Sequence, residues 1–173
     1  MKKQIINISE LDYKPFPMPL PEAVKAKYEG ARMGQAGQIV GAQKLGFNVT
    51  VVPPGKRAYP FHSHRVNEEF FYIIEGEGTV RIGTETFPIK TGDLISCPPG
   101  GPETAHQIVN TSEGELRYLA ISTKLSPEIA QYPDSCKLGI LADFGTDASG
   151  KPNIFRMLIK EGQQPLDYWE GEE

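Results

Sequence analysis

Every histidine of this chain falls in two short stretches. His62 and His64 lie in Gly55-Lys-Arg-Ala-Tyr-Pro-Phe-His-Ser-His-Arg-Val-Asn-Glu-Glu69, and His106 closes Pro98-Pro-Gly-Gly-Pro-Glu-Thr-Ala-His106. Neutral imidazole is the commonest protein metal ligand, and imidazoles joined by one carboxylate suit first-row divalent ions. Residues two apart on an extended backbone leave the same face, so His62 and His64 converge on one ion if their segment is a strand. Pro60 pushes Tyr59 toward extended geometry and supports that choice over helix. Glu69 heads the run Glu69-Phe-Phe-Tyr-Ile-Ile-Glu75, where Glu69, Phe71 and Ile73 share a face. A carboxylate at the head of an apolar row needs a partner, because burying it charged and alone is costly. A metal would supply one. His106, Ile108 and Asn110 share a face of another run. A histidine taken singly in a β-protein is more often hydrogen-bonded or partly exposed than a ligand; it is the joint pattern that points to metal.

These residues need strands to position them. From residue 38 onward, β-branched and aromatic runs are punctuated by Gly and Pro, the pattern of an all-β sandwich or barrel. The expected strands are Ile39 to Gln43, Phe47 to Val52, Glu69 to Glu75, Thr79 to Ile82, Glu85 to Ile89, Asp93 to Cys97, Ala105 to Val109 and Leu116 to Thr123. Gly76-Glu-Gly78 and Thr91-Gly92-Asp93 mark turns, and Gly83-Thr84 fits a two-residue hairpin loop. Residues 13 to 21 carry proline at alternate positions and read as an extended arm. Glu22 to Tyr28 fits about two helical turns, too little for a helix-turn-helix reader. Beyond Thr123, Ser126 to Tyr132 reads as a short helix capped by Ser126 with Pro127 at its first position. A loop then leads into one more strand by Leu141, Phe155 to Ile159 forms another, and residues 167–173 form an acidic tail. The division expected is 1–37 N-terminal arm, 38–123 barrel core and 124–173 C-terminal extension packing on the barrel.

Composition narrows the partners. The chain has 173 residues, enough for one domain with its own core. Its formal charge of −4, with no basic block, argues against nucleic acid and anionic membrane surfaces. Two cysteines, Cys97 and Cys136, outside any CxxC pair, fit a reducing compartment. With no long apolar run, a cytoplasmic location is expected. The arm crossing onto a second copy would cover an exposed strand edge, so a homodimer is expected.

Together the residues resemble the cupins, small double-stranded β-helix (jelly-roll) barrels that bind one metal inside. The first cupin motif is similar to Gly55, His62, His64, Glu69 and Gly76 here, and the second to Gly92, Pro98, Gly100, His106 and Asn110. Six residues rather than five separate Gly55 from His62, and five rather than two separate Gly100 from His106. The resemblance implies His62, His64, Glu69 and His106 as ligands of one divalent transition metal: Fe, Mn, Ni, Co or Zn. Three imidazoles and one carboxylate would leave such an ion a net charge of +1 and, in octahedral geometry, two open positions, whereas tetrahedral zinc would be closed.

The resulting expectation is a small metal-dependent enzyme, dioxygenase-like or isomerase-like, acting on a small oxygen-rich or carboxylate metabolite. The alternative is a non-enzymatic module that binds or senses a small molecule through the metal. No other catalytic residue stands out. Tyr118 is a candidate to line the cavity, though a core aromatic is the simpler reading. Cys97 reads as a small buried hydrophobe rather than a nucleophile.

Overall fold

The computed structural model describes residues 3–16 and 18–172. Pro17 of the arm and Glu173 of the acidic tail lie outside them. Among the described residues the strands are β1 (Lys14–Pro15), β2 (Arg32–Gly34), β3 (Leu45–Val52), β4 (Ser63–His64), β5 (Glu69–Glu75), β6 (Glu77–Ile82) and β7 (Glu85–Lys90). They continue as β8 (Leu94–Cys97), β9 (His106–Val109), β10 (Leu116–Thr123), β11 (Glu128–Tyr132), β12 (Lys137–Thr146) and β13 (Pro152–Lys160). Two short helices, α1 (Glu22–Tyr28) and α2 (Ala36–Ile39), precede β3. The strands form antiparallel sheets ordered β1-β2-β3-β10-β5-β8, β13-β12-β11-β4 and β7-β6-β9, an all-β double-stranded β-helix.

The period-two pattern sets the inside of the barrel. On β5, Phe71 and Ile73 are buried while Tyr72 between them is exposed. They join Val52, Val80, Ile95, Ile108, Leu116 and Tyr118 in the main core, each large apolar side chain contributing about 1.5–3 kcal/mol through removal from water. The opposite face of the β3-β10-β5 sheet is covered from the N-terminal side, where Leu11, Ala36 and Val49 form a second cluster. Turn chemistry holds the strands in register. Gly76 has φ +87°, and a Cβ there would meet the Glu115 carbonyl oxygen at 2.4 Å, so only glycine fits between β5 and β6. Asn110, fully buried, donates to the carbonyls of Val52 and Gly114 and pins the turn from β9 into β10.

Two local expectations fail. Ile39 to Gln43 is not a strand: α2 ends at Ile39, and bonds from Val40 N to Ala36 O and from Ala42 N to Gly37 O close a turn. Gly37 is packed so tightly on the Phe47 backbone that a Cβ would lie 3.0 Å from its nitrogen, a contact that favours the compact turn. Ser126 to Tyr132 is not a helix but contains β11, paired on one side with β4 and on the other with β12. Two long-range ladders outcompete the local helical bonding that Pro127 at a first turn would begin. The Ser126 hydroxyl accepts a hydrogen bond from Asp143 N instead of capping a helix. The arm also forms a short ladder, with Lys14 and Pro15 opposite Met33 and Arg32.

Candidate metal centre

Three strand ends bring the predicted ligands together. His62 and His106 exchange backbone hydrogen bonds, N to O at 3.2 Å and 2.8 Å, so their side chains share a face. His64, two residues on, sits in β4 opposite Ala130 of β11. Glu69 enters from the start of β5. The loop whose length departs from the family motif folds onto the site: Gly100 N donates to His64 O at 2.8 Å, and the Thr104 carbonyl lies 3.3 Å from His106 Nδ1. Its extra residues are spent on an internal turn in which Gly101 N donates to Glu103 and Thr104 N to Gly101 O.

The geometry is one of convergence. Glu69 Oε2 lies 2.8 Å from His106 Nε2, 3.4 Å from His64 Nε2 and 3.8 Å from His62 Nε2. Ligand atoms of His62, His64 and Glu69 all lie within 4.8 Å of one another. The Nδ1 atoms face outward to acceptors: Pro60 O at 2.9 Å for His62, Thr104 O for His106, and Glu128 Oε2 at 3.4 Å for His64. With an ion bound, an acceptor behind Nδ1 would hold the proton there and leave the Nε2 lone pair for the ion, the outer-shell arrangement of metal-binding histidines; without one, His106 Nε2 donates to Glu69 Oε2. Within the protein alone, both ring nitrogens of His64 are buried without a hydrogen-bond partner, a costly state that metal coordination at Nε2 relieves. The donor set therefore fits a divalent transition ion.

Electrostatics favour the ligand forms for His62 and Glu69. Burial pushes the His62 imidazole down to about 4, although Glu69 opposes the shift, so it is neutral near pH 7. For Glu69, burial acts against ionisation but the hydrogen bond from His106 and the nearby His64 and His62 rings outweigh it and hold the carboxyl far below its usual range. For His64, burial disfavours the cation, yet the Glu69 and Glu128 carboxylates together raise its pKa. A proton on His64 would compete with metal, as protons do at any imidazole ligand.

Residues that sequence reasoning missed back this constellation. Glu128, on β11, is buried and accepts backbone N–H groups from Arg65 at 3.0 Å, Val66 at 3.2 Å, Asn67 at 2.8 Å and Ile129 at 2.8 Å, as well as the Asn67 side-chain amide. It ties the chain just after His64 into place. Tyr132, on the same face of β11, stacks on His62 with ring centroids 5.9 Å apart and an angle of 17°. The alternation Glu128, Ala130, Tyr132 would have revealed a strand face had Pro127 been read as a strand opening. Tyr118 is buried in the main core, edge-on to Phe71, whose ring lies 5.5 Å from that of His106. Burial pushes the Tyr118 phenol well above its ordinary pKa. Cys97 lies opposite Glu69 in the ladder, its thiol pushed up to about 12 by burial and then by the Glu69 charge; it is no nucleophile. A separate cavity of about 470 Å³ opens between the arm and the barrel, lined by Phe16, Leu20, Val24, Arg57 and Phe61. None of the four converging residues lines it.

A double-stranded β-helix with three imidazoles and one carboxylate gathered at its strand ends has the architecture of a cupin. The cupin domain model matches residues 48–122, from β3 to β10, so this part of the chain is similar to a cupin domain. An uncharacterized protein of Methanocaldococcus jannaschii is 38% identical over 72 residues, 42% of this chain and 54% of that protein. The oxalate-binding protein of Thermotoga maritima is 34% identical over 70 residues, 40% of this chain and 54% of that protein. The chain thus spans about half the length of these curated relatives. Among solved structures, a Silicibacter pomeroyi cupin described as a sugar phosphate isomerase superposes with a TM-score of 0.75 at 22% identity, covering 95% of this chain and 97% of that one. A predicted oxalate decarboxylase of Thermotoga maritima gives 0.55 at 24% identity, covering 70% and 99%. At these identities the structural likeness establishes the fold. Among the described residues no helix is long and apolar enough to cross a membrane.

Proposed function

We infer that this protein is a small metal-dependent enzyme in which His62, His64, Glu69 and His106 hold one divalent transition ion, Fe, Mn, Ni, Co or Zn. The observation that carries the reading is the convergence of three Nε2 atoms within 3.8 Å of one carboxylate oxygen, each Nδ1 facing an outer acceptor. An ion with open positions there would polarise a carbonyl or stabilise an enediolate as a Lewis acid. The substrate class is a small oxygen-rich or carboxylate metabolite, and both isomerase-like and dioxygenase-like turnover belong to the reading. The isomerase described for the Silicibacter neighbour and the oxalate ligand named for the Thermotoga relative support that class. The protein is read as a cytoplasmic homodimer, with neither nucleic acid nor membrane as partner.

One feature favours a second reading, metal-dependent binding without turnover. Around the ligands, Tyr59 is pushed up to about 12 by burial, and Tyr132 and Tyr118 also rise. Glu128 already accepts N–H groups from Arg65, Val66, Asn67 and Ile129, so among the described residues no further carboxylate stands free beside the ligands to act as acid or base. The deciding experiment is elemental analysis of purified protein, then loading with Fe(II), Mn(II), Ni(II), Co(II) or Zn(II). Each loaded form is assayed for oxygen consumption and for aldose–ketose interconversion. Turnover in one loaded form supports the enzyme; oxalate-induced thermal stabilisation without turnover supports the binding module. Failure to retain stoichiometric metal under every loading condition sinks both.

A further inference from the structure

The cavity between the arm and the barrel is built from residues the metal centre leaves unused. Phe61 and Gln107 each stand next to a converging histidine in sequence, and both line this cavity instead. The facing wall is α1, where Val24, Lys27 and Tyr28 recur at the three- and four-residue spacing that shares one helix face. Two bonds tie the end of that helix to the segment leading into the histidines: Arg57 N donates to Lys27 O at 3.0 Å, and Lys56 Nζ to Ala26 O at 2.8 Å. The enclosed volume of about 470 Å³ lies within the range of small-molecule sites, about 300–1,000 Å³.

Its charge is out of balance. Lys27, Arg57 and Lys137 all line it, and among the described residues none of the three forms an ion pair. Asp134 is the single carboxylate in the lining, and both its oxygens accept from Arg81 Nη1 at 3.0 Å. That arginine lies outside the lining, its guanidinium 3.6 Å from the centre of the Phe61 ring. Buried Gln107 fixes Arg57 in place: its Oε1 accepts from Arg57 Nη1 at 3.2 Å, while its Nε2 donates to Tyr59 O at 2.7 Å. Arg57 Nε is buried without any partner, an unmet donor that costs free energy. In a chain of formal charge −4, three uncompensated cations around one apolar cavity are not explained by composition.

We propose that this cavity binds a small carboxylate carried on an apolar body, at a site separate from the metal centre. With Nη1 engaged by Gln107, Arg57 keeps its Nε–Nη2 edge free, and a slight turn of the guanidinium aims that edge at two carboxylate oxygens in the planar, bidentate fit arginine favours. Lys27 and Lys137 add charge on flexible stems. The body of the ligand packs on Phe16, Leu20, Val24 and Phe61, and its removal from water supplies the rest of the affinity. A neutral apolar molecule leaves the cations unanswered, and a bare inorganic anion leaves the walls unpacked. The inference goes beyond the metal-dependent reading and does not rest on it.

Isothermal titration calorimetry of the full chain with octanoate, 1-octanol and inorganic phosphate tests this. Octanoate is expected to bind once per chain with a Kd below about 1 mM, and octanol and phosphate at least about tenfold more weakly. Octanoate that fails to saturate overturns the site. Phosphate bound as tightly as octanoate reduces it to an adventitious anion contact, and octanol bound as tightly removes the role of charge; either result overturns the proposal. Treatment with a chelator is expected to leave octanoate affinity unchanged, whereas its loss would put the carboxylate on the ion and overturn a separate site. A chain that never holds metal leaves this test intact. Val24→Trp fills the cavity, and Lys27→Glu, at an exposed position of α1, reverses one charge. Each is expected to raise the octanoate Kd at least about tenfold with an unchanged circular dichroism spectrum. Should Val24→Trp fail to fold, Lys27→Glu carries the test, and an unchanged Kd in that variant overturns the proposal.

Discussion

The two halves of the candidate metal centre are built differently. Glu69 and His106 stand on β5 and β9, inside the matched cupin region, and are held by the regular ladders of the barrel. His62 and His64 stand on a bridge and a two-residue strand. Their support comes from β11, beyond residue 122, where Glu128 and Tyr132 take up the outward sides of their rings. The first half owes its geometry to packing, whereas the second owes it to a carboxylate and an aromatic ring supplied from more than sixty residues away in sequence. Ligand identity is thus a property of the barrel, and ligand orientation is shared with the extension.

The largest effect should come from the packed half. Glu69→Ala removes the shared anion and leaves three imidazoles facing one another, so metal affinity measured by chelator competition should fall by more than about 100-fold. Metal retained at one equivalent with near-native affinity would break the assignment of Glu69.

Next in size is the strap. Glu128→Ala leaves the N–H groups of Val66 and Asn67 without their carboxylate acceptor, while Arg65 N keeps the Ile129 carbonyl, and should cost about 3 kcal/mol in a denaturant titration of the metal-free protein. Metal affinity should fall roughly 10–100-fold. Glu128→Gln keeps one acceptor oxygen and should lose less of both. If Glu128→Ala destabilises the fold while metal affinity stays unchanged, the strap does not orient His64.

Acid separates the halves further. His62 has a folded-state value of about 4, against 6.5 in the unfolded chain. Its contribution is therefore present above about 6.5 and is lost as pH falls toward 4, amounting to about 3 kcal/mol at most. Glu69, also depressed, withdraws its share at still lower pH. His64, raised, acts with the opposite sign: its contribution is complete below 6.5 and disappears as pH rises through its folded value. The metal-free protein should lose melting temperature between pH 6.5 and 4, and His62→Gln should flatten that decline. An equally steep decline in His62→Gln would remove His62 as its source.

The smallest effect is expected at Tyr132. Tyr132→Leu gives up a stacked pair worth about 1 kcal/mol and should shift metal affinity only a few-fold. A loss as large as that of Glu128→Ala would mean that the ring, not the carboxylate, sets the orientation of this half.

The same division governed what could be read from residues alone. The bounds of β5 and β10 and the pairing of β6 with β7 follow from period-two alternation and glycine turns, both local signals. The four side chains that converge were legible for a related reason, since each lies in or beside a short extended segment. Residues 126–132 were misread because what makes them a strand is the presence of β4 and β12 on either side, and no local window contains either. The turn at 36–42 was misread because Gly37 answers to Phe47 rather than to its neighbours. Glu128 looked like a helix-start acid; its burial among backbone donors at residues 65–67 exists only in three dimensions.

The two thiols offer a clock for the barrel. Cys97, opposite Glu69, is buried with its thiol held near 12, while Cys136 is exposed in a left-handed turn. An alkylating reagent should therefore mark Cys136 at once and reach Cys97 only in molecules that have momentarily parted β5 from β8. The lag between the two labels measures how often the strand carrying Glu69 comes loose, and metal that bridges it to the histidines should lengthen that lag without any change in the reagent.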